Sequence, residues 1–498
     1  MPAADRTYPL TATSGTCAGA AGDVLAQRAA AVRVLLAEDL AHVVELLAWR
    51  EPGDAGEVVV ASRFGQAAIA ADGSHRLLAG VDPLARQDPL AFLGSAERAD
   101  PRPGPTRAHY PHAGLRLLSA FADAARAPDL VVVHTDAHHW PERGGHLGEH
   151  GSLGLHQSRA PMLLCGAGVS RRGVLSDSCR TVDVAPTMAH AAARPMTGVD
   201  GRARADLVEA VGQRVVGLLW DGAHCADLLE LTAAGELPAV ARLLERGCAL
   251  AGGAVAEFPS VTLVNHTSAL TGLGPGRHGI VHNVFWDRAR GAQVVSNDSS
   301  TWHTACDLLR PGVQTLWEHL GDLDTACVSE PIDRGATYST FALIRAARTA
   351  DGAKDLGASL PPAQEDPLVS SEHLGDDGYR WSSQVDATGL QQVLALWSRP
   401  LPPQVMWWNT TLTDSAHHAG GPWSAISRAS LRDSDRRLGR WLDLVEERGL
   451  LDTTTVLLTA DHGMAQADPQ CTGDWDAALL AAGVHFRDEA YGFLYFGV

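Results

Sequence analysis

The chain has 498 residues, an apolar fraction of 45% and a formal net charge of −18. Its length allows one large domain or two to three average ones, and its apolar share suits a sizeable buried core. The acidic balance argues against a nucleic-acid polymer or an anionic membrane as the main partner, but a small phosphorylated substrate can still be held by metal ions.

In chain order, residues 1–22, rich in Ala, Thr and Gly, read as a flexible start. The first thirty residues lack the basic start and unbroken apolar stretch of a signal peptide. Short apolar runs predict strands at Glu57–Ser62, Asp129–His134, Pro161–Cys165, Arg214–Trp220, Gln404–Asn409 and Thr454–Thr459. They alternate with helical periodicity, the pattern of an α/β fold. Asp351–Asp377, rich in Pro, Gly and acids, reads as a loop or small insertion. Leu431, Leu438, Trp441, Leu442 and Val445 mark one face of an amphipathic helix. The single lysine, Lys354, follows Ala353, which excludes a Walker A loop. Eight cysteines form no C-x-x-C pair, and no window approaches the roughly 18 apolar residues of a membrane helix. Reduced thiols in a cytoplasmic protein are therefore expected.

Three strand ends carry acids. Asp221 follows Gly217-Leu-Leu-Trp220, Asp414 comes shortly after Val405-Met-Trp-Trp408, and Asp461 follows Val456-Leu-Leu-Thr-Ala460. In an open, mostly parallel sheet the carboxyl ends of strands converge on one crevice. Asp461-His462-Gly463-Met464 offers oxygen and imidazole donors that suit zinc or a similar divalent ion, though a plain turn with a helix cap is the bland alternative. Asp414 and His418, four apart, face the same way on one helical turn, and His417 points elsewhere. In Phe258-Pro-Ser-Val-Thr262, the threonine sits where an extended segment enters a helix, so helix-start N–H groups can stabilise a phosphoryl group there. By itself Thr262 reads as an ordinary N-cap.

The order Asp221, Thr262, Asn283, Asp414/His418, Asp461/His462 resembles the nucleotide pyrophosphatase/phosphodiesterase family of the alkaline phosphatase superfamily, from about Arg214 to the C-terminus. That resemblance implies a mostly parallel sheet flanked by helices and two divalent metal ions, with zinc expected. Asp221, Asp461 and His462 would hold one ion with Thr262, the nucleophile. Asp414 and His418 would hold the other, and Asn283 would contact a phosphoryl oxygen.

The family needs one more histidine downstream of the D-H-G-M segment, and residues 465–498 contain no His-Gly. Gly148-Glu-His150-Gly-Ser-Leu153, Arg159-Ala-Pro-Met-Leu-Leu164 and Arg180-Thr-Val-Asp-Val-Ala-Pro-Thr187 resemble the closing portion of the superfamily's catalytic domain, with His150 as the missing ligand. Placing 213–498 before 1–200 restores the usual order. The chain therefore reads as one circularly permuted domain over 1–498: a closing portion at 23–200, a join at 201–213 and an opening portion at 214–498. A degenerate first domain followed by a truncated second is the rival.

His146 and His156 are the alternatives to His150, but neither precedes Gly-Ser. His134-Thr-Asp-Ala-His-His139 lacks the metallo-β-lactamase order. Gly274-Pro-Gly-Arg-His-Gly279 follows a helical stretch rather than a strand, against dinucleotide binding. No cysteine begins the C-x-P-x-R of sulfatases. The expected activity is hydrolysis of a phosphodiester or pyrophosphate in a small phosphorylated substrate, a nucleotide among the candidates. A phosphonoacetate-type C–P hydrolase, a phosphomonoesterase, a phosphotransferase or phosphomutase, and a non-catalytic binding protein are the alternatives.

Overall fold

Arg214–Trp220 reads RVVGLLW and lies almost wholly buried, as a strand covered on both faces must. Val405–Thr410 and Thr454–Thr459 are buried along their whole length and flank it. These strands belong to a computed structural model that describes residues 21–52, 56–210, 214–346 and 368–498. The expected start through residue 20, most of the 351–377 stretch including Lys354, and the end of the join at 211–213 lie outside the described residues.

The central sheet has eight strands: β1 (Met162–Gly166), β2 (Gly173–Leu175), β3 (Arg214–Trp220), β4 (Gly247–Leu250), β5 (Thr325–Val328), β6 (Tyr338–Ser339), β7 (Val405–Thr410) and β8 (Thr454–Thr459). Their order is β6-β5-β7-β3-β8-β1-β4-β2. Pairing is parallel from β6 through β8. It turns antiparallel on both sides of β1, then parallel again between β4 and β2. The expected mostly parallel sheet flanked by helices is what the structure has.

Register sets the site. Trp220 pairs with Thr410, and Leu219 with Thr459, so the carboxyl ends of β7, β3 and β8 lie level. Gly217 in β3 lies against the Trp407 ring, where a Cβ would stand 2.2 Å from the ring carbon Cε3. Trp407 is fully buried, as are Trp317, Trp397 and Trp441.

Four helices matter below: α1 (Thr262–Thr271), α2 (Asp377–Trp397), α3 (Leu412–Gly420) and α4 (Ala425–Glu447). The five apolar residues expected on one face of α4 are all buried. A second sheet, with its own antiparallel pairing, was not expected from sequence. It runs, in order, through Arg487–Glu489, Phe493–Tyr495, Leu130–His134, Val44–Arg50, Val58–Ser62, Gly65–Ile69 and His75–Gly80. Two strands read as α/β elements, at 58–62 and 130–134, belong to it. Each sheet contains strands from both 23–200 and 214–498. The seven cysteines among the described residues are free. No helix among them is long and apolar enough to cross a membrane.

Candidate active site

Two clusters of ligand-type side chains lie past the carboxyl ends of β3, β7 and β8. In the inner one, Asp221 ends β3 and Asp461 and His462 follow β8. All three are buried, with one donor atom each inside a 4.8 Å group. His462 Nε2 stands 3.1 Å from Asp461 Oδ2 and 3.9 Å from Asp221 Oδ1. In the second, Asp414 and His418 on α3 meet His150. His418 Nε2 is 3.2 Å from His150 Nε2 and 3.5 Å from Asp414 Oδ1.

A short antiparallel ladder, Ala465 with Glu149 and Gln466 with Gly148, brings His150 here from far along the chain. The His150 ring stacks on that of His462 with centroids 3.7 Å apart. Gly222 allows the two clusters to abut. Its φ is +60°, a Cβ there would stand 2.6 Å from Asp414 Oδ1, and its N–H donates to Asp461 Oδ1 at 3.0 Å.

Each histidine is oriented through its other nitrogen. Nδ1 of His150 meets the Ser260 carbonyl at 3.0 Å, that of His418 the Gly148 carbonyl at 2.8 Å, and that of His462 the Gly463 carbonyl at 2.9 Å. Nε2 is thereby turned towards the carboxylates, the arrangement that metal-ligating imidazoles adopt. Asp221 Oδ1, Asp414 Oδ1, Asp461 Oδ2 and His462 Nε2 are buried without a hydrogen-bond partner. Leaving such atoms bare costs free energy that a cation would offset. Burial, then the carboxylates of Asp461 and Asp414, push the Asp221 carboxyl well above its ordinary range. Burial, then His462 and His418, hold the His150 imidazole well below its own. The donor set fits two divalent ions, and its nitrogen and oxygen atoms suit zinc.

Thr262 is the first residue of α1, and Val261 is the N-cap with no side-chain cap bond. The bland reading of Thr262 as the capping residue therefore does not hold. Beside it, Leu263 N–H donates to Asn283 Oδ1 at 3.1 Å, which leaves the Asn283 NH2 group as donor at the helix start. His417 is fully buried with Nδ1 on the Thr413 carbonyl at 2.6 Å, away from the second cluster.

Two buried groups behind the inner cluster were not singled out in the sequence. His266 Nε2 stands 3.7 Å from Asp221 Oδ2 and 3.6 Å from Asp461 Oδ2, while Nδ1 meets Glu330 Oε2 at 2.8 Å. Trp407 Nε1 also donates to Glu330, at 3.1 Å. His266 was findable, since it lies four residues after Thr262 on the same helix face. Glu330, beyond the end of β5, carried no local signal.

A cleft open to solvent begins at Thr262 and Asp221. Leu263, Trp302, Phe341, Ile344 and Trp381 wall it, with Asn297, Ser299, Gln392 and Asn409 as polar points, and among the described residues no Arg or Lys lines it.

The fold and these clusters define an α/β chain with two Asp/His sets beside a helix-start threonine. Residues 215–495, more than half of the chain, match the type I phosphodiesterase/nucleotide pyrophosphatase family, and the chain belongs to it. It is 24% identical over 218 residues to an uncharacterised pyrophosphatase/phosphodiesterase of Schizosaccharomyces pombe, covering 42% of this chain and 37% of that protein. It is 36% identical over 63 residues to ectonucleotide pyrophosphatase/phosphodiesterase 2 of Saccharomyces cerevisiae, covering 12% and 13%. The chain thus spans well under half the length of these curated relatives. Among solved structures, murine ectonucleotide pyrophosphatase/phosphodiesterase 5 in complex with AMP aligns with a TM-score of 0.37 at 17% identity, over 52% of this chain and 59% of that one. Phosphonoacetate hydrolase from Sinorhizobium meliloti, in complex with phosphonoformate, aligns at 0.33 and 23%, over 50% and 57%.

Proposed function

We propose that this chain hydrolyses a phosphodiester or pyrophosphate bond with Thr262 as nucleophile and two divalent ions, zinc by the chemistry of the donors. One observation carries the reading. Two Asp/His sets with bare buried donor atoms flank a helix-start threonine in a chain of this family. Asp221, Asp461 and His462 would hold one ion with Thr262, and Asp414, His418 and His150 the other. When bound, such ions lower the pKa of an attacking hydroxyl and draw charge from the phosphoryl oxygens.

The Thr262 hydroxyl attacks phosphorus in line with the leaving oxygen, forming a phosphothreonine and breaking the ester or anhydride bond. Peptide N–H groups at the start of α1 and the Asn283 amide stabilise the phosphoryl oxygens. Water then attacks from the vacated side, releasing the phosphoryl product and restoring the hydroxyl. A cleft whose described walls are apolar and carry no cationic side chain accommodates a neutral organic ester group better than a second free phosphate oxygen. That supports a diester over a monoester. The AMP complex of the murine relative makes a nucleotide a reasonable test compound.

Protein purified without chelators is expected to hold about two ions per chain and to turn over a bis-aryl phosphate at least about tenfold faster than an aryl monophosphate. Faster monoester turnover would overturn the diester reading, and full activity in metal-free protein would overturn the mechanism.

The circular permutation is part of the same proposal. It is supported by β1 inserting beside β8, and by Gly148–Glu149 pairing with Ala465–Gln466 next to the D-H-G-M segment.

A further inference from the structure

The stretch 146–150 contributes three polar side chains, and only His150 belongs to the site described so far. His146, Glu149 and His418 form a third group whose donor atoms lie within 4.8 Å of one another, sharing His418 with the His150–Asp414 set. His146 Nδ1 stands 3.6 Å from Glu149 Oε1, and the His146 and His418 rings approach to 4.4 Å between centroids. The group is graded towards solvent. The His146 side chain is 43% exposed and that of Glu149 only 12%. One imidazole nitrogen binds one ion, and Nδ1 of His418 is committed to the Gly148 carbonyl. His418 Nε2 therefore serves either the His150–Asp414 set or the outer His146–Glu149 pair.

We propose that His146 and Glu149 form, with His418, an outer divalent-cation seat at the mouth of the site, through which the second ion enters and exchanges. The two seats exclude each other, so the chain still holds two ions at equilibrium. An incoming ion first meets the exposed His146 and the Glu149 carboxylate. It then gains His418 as the outgoing ion loses it, so the incoming ion already has protein donors when the outgoing ion is released to solvent. The chemical class of the ligand is a small divalent cation that accepts mixed imidazole and carboxylate donors.

This inference rests on the two-ion reading above, and its test separates the two. Full-length protein loaded with natural zinc is mixed with isotopically enriched free zinc, and bound isotope is followed by mass spectrometry. In the wild type the exchange rate of one ion should rise with free zinc. His146→Phe keeps a ring against His418 but removes the nitrogen donor, and Glu149→Gln keeps the shape but removes the charge. Each should slow that exchange about tenfold or more while leaving two ions bound at equilibrium. Unchanged exchange in both variants would overturn the proposal, and so would wild-type exchange in His146→Phe, which would make the contact mere ring packing. Equilibrium content falling below two in a variant would also overturn it, because these residues would then be permanent ligands. A wild-type chain that does not hold two ions would overturn the two-ion reading itself, and this proposal with it.

Discussion

A hydroxyl at the first position of a helix carries little of that helix's stability when another residue is the cap. Because Val261 caps α1 and Thr262 only begins it, Thr262→Ala should cost no more than about 0.5 kcal/mol in chemical denaturation. If Thr262 is the nucleophile, the same change should lower turnover by about three orders of magnitude or more with both ions retained, and Thr262→Ser should keep measurable activity. Turnover near wild type in the alanine variant would remove Thr262 from the mechanism.

At the scale of elements, α3 carries Asp414 and His418 yet has no cap of its own, since the Thr411 side chain makes no cap bond. The cap comes from α2. Asp386 accepts hydrogen bonds from Thr411 N at 2.8 Å and Leu412 N at 3.1 Å. A negative group on the first turn satisfies bare N–H groups and opposes the helix dipole. Asp386→Ala is expected to destabilise the fold by about 1–3 kcal/mol and to weaken binding of the second ion more than the first. Equilibrium unfolding and stepwise metal titration would check this. Equal weakening of both ions would mean that α3 is not held through this contact.

At the scale of the molecule, the two segments are tied by buried charge as well as by sheets. Glu97 meets Arg159 at 3.2 Å and, across to the other segment, His224 Nε2 at 3.1 Å. Burial alone would raise the Glu97 carboxyl, but His224 and then Arg159 hold it down, from 4.5 to about 2. A carboxyl whose folded pKa is depressed adds stability above its unfolded value and loses it as pH falls through the folded one. Glu97→Gln should therefore be less stable than wild type by on the order of 3 kcal/mol at pH 7. The gap should close between about pH 4.5 and 2 in parallel denaturation series. A gap independent of pH would show that packing rather than charge is lost. For the permutation, residues 214–498 alone should aggregate, because β8 and β4 would lose β1 and expose apolar strand edges. A rearranged chain, 213–498 joined through a short flexible linker to 1–200, should fold and bind two ions. Cooperative folding and full activity of 214–498 alone would overturn the permutation.

Composition, periodicity and spacing in the sequence determined the strands built around an aliphatic run, such as Arg214–Trp220 and Thr454–Thr459, and the buried face of α4. These follow from local chemistry, since a run of aliphatic residues must be covered wherever it lies. The Asp and His candidates were legible for a similar reason, because their side-chain types and short spacings are local. The tertiary structure alone decided that strands 44–50 and 58–80 pair antiparallel in a second sheet, and that Glu330 backs His266. It also decided that Asp386 caps a helix on another element, and that His146 and Glu149 share His418. Each of these depends on register between segments far apart in the chain, and no local pattern of residues encodes which distant edge a strand or carboxylate will meet.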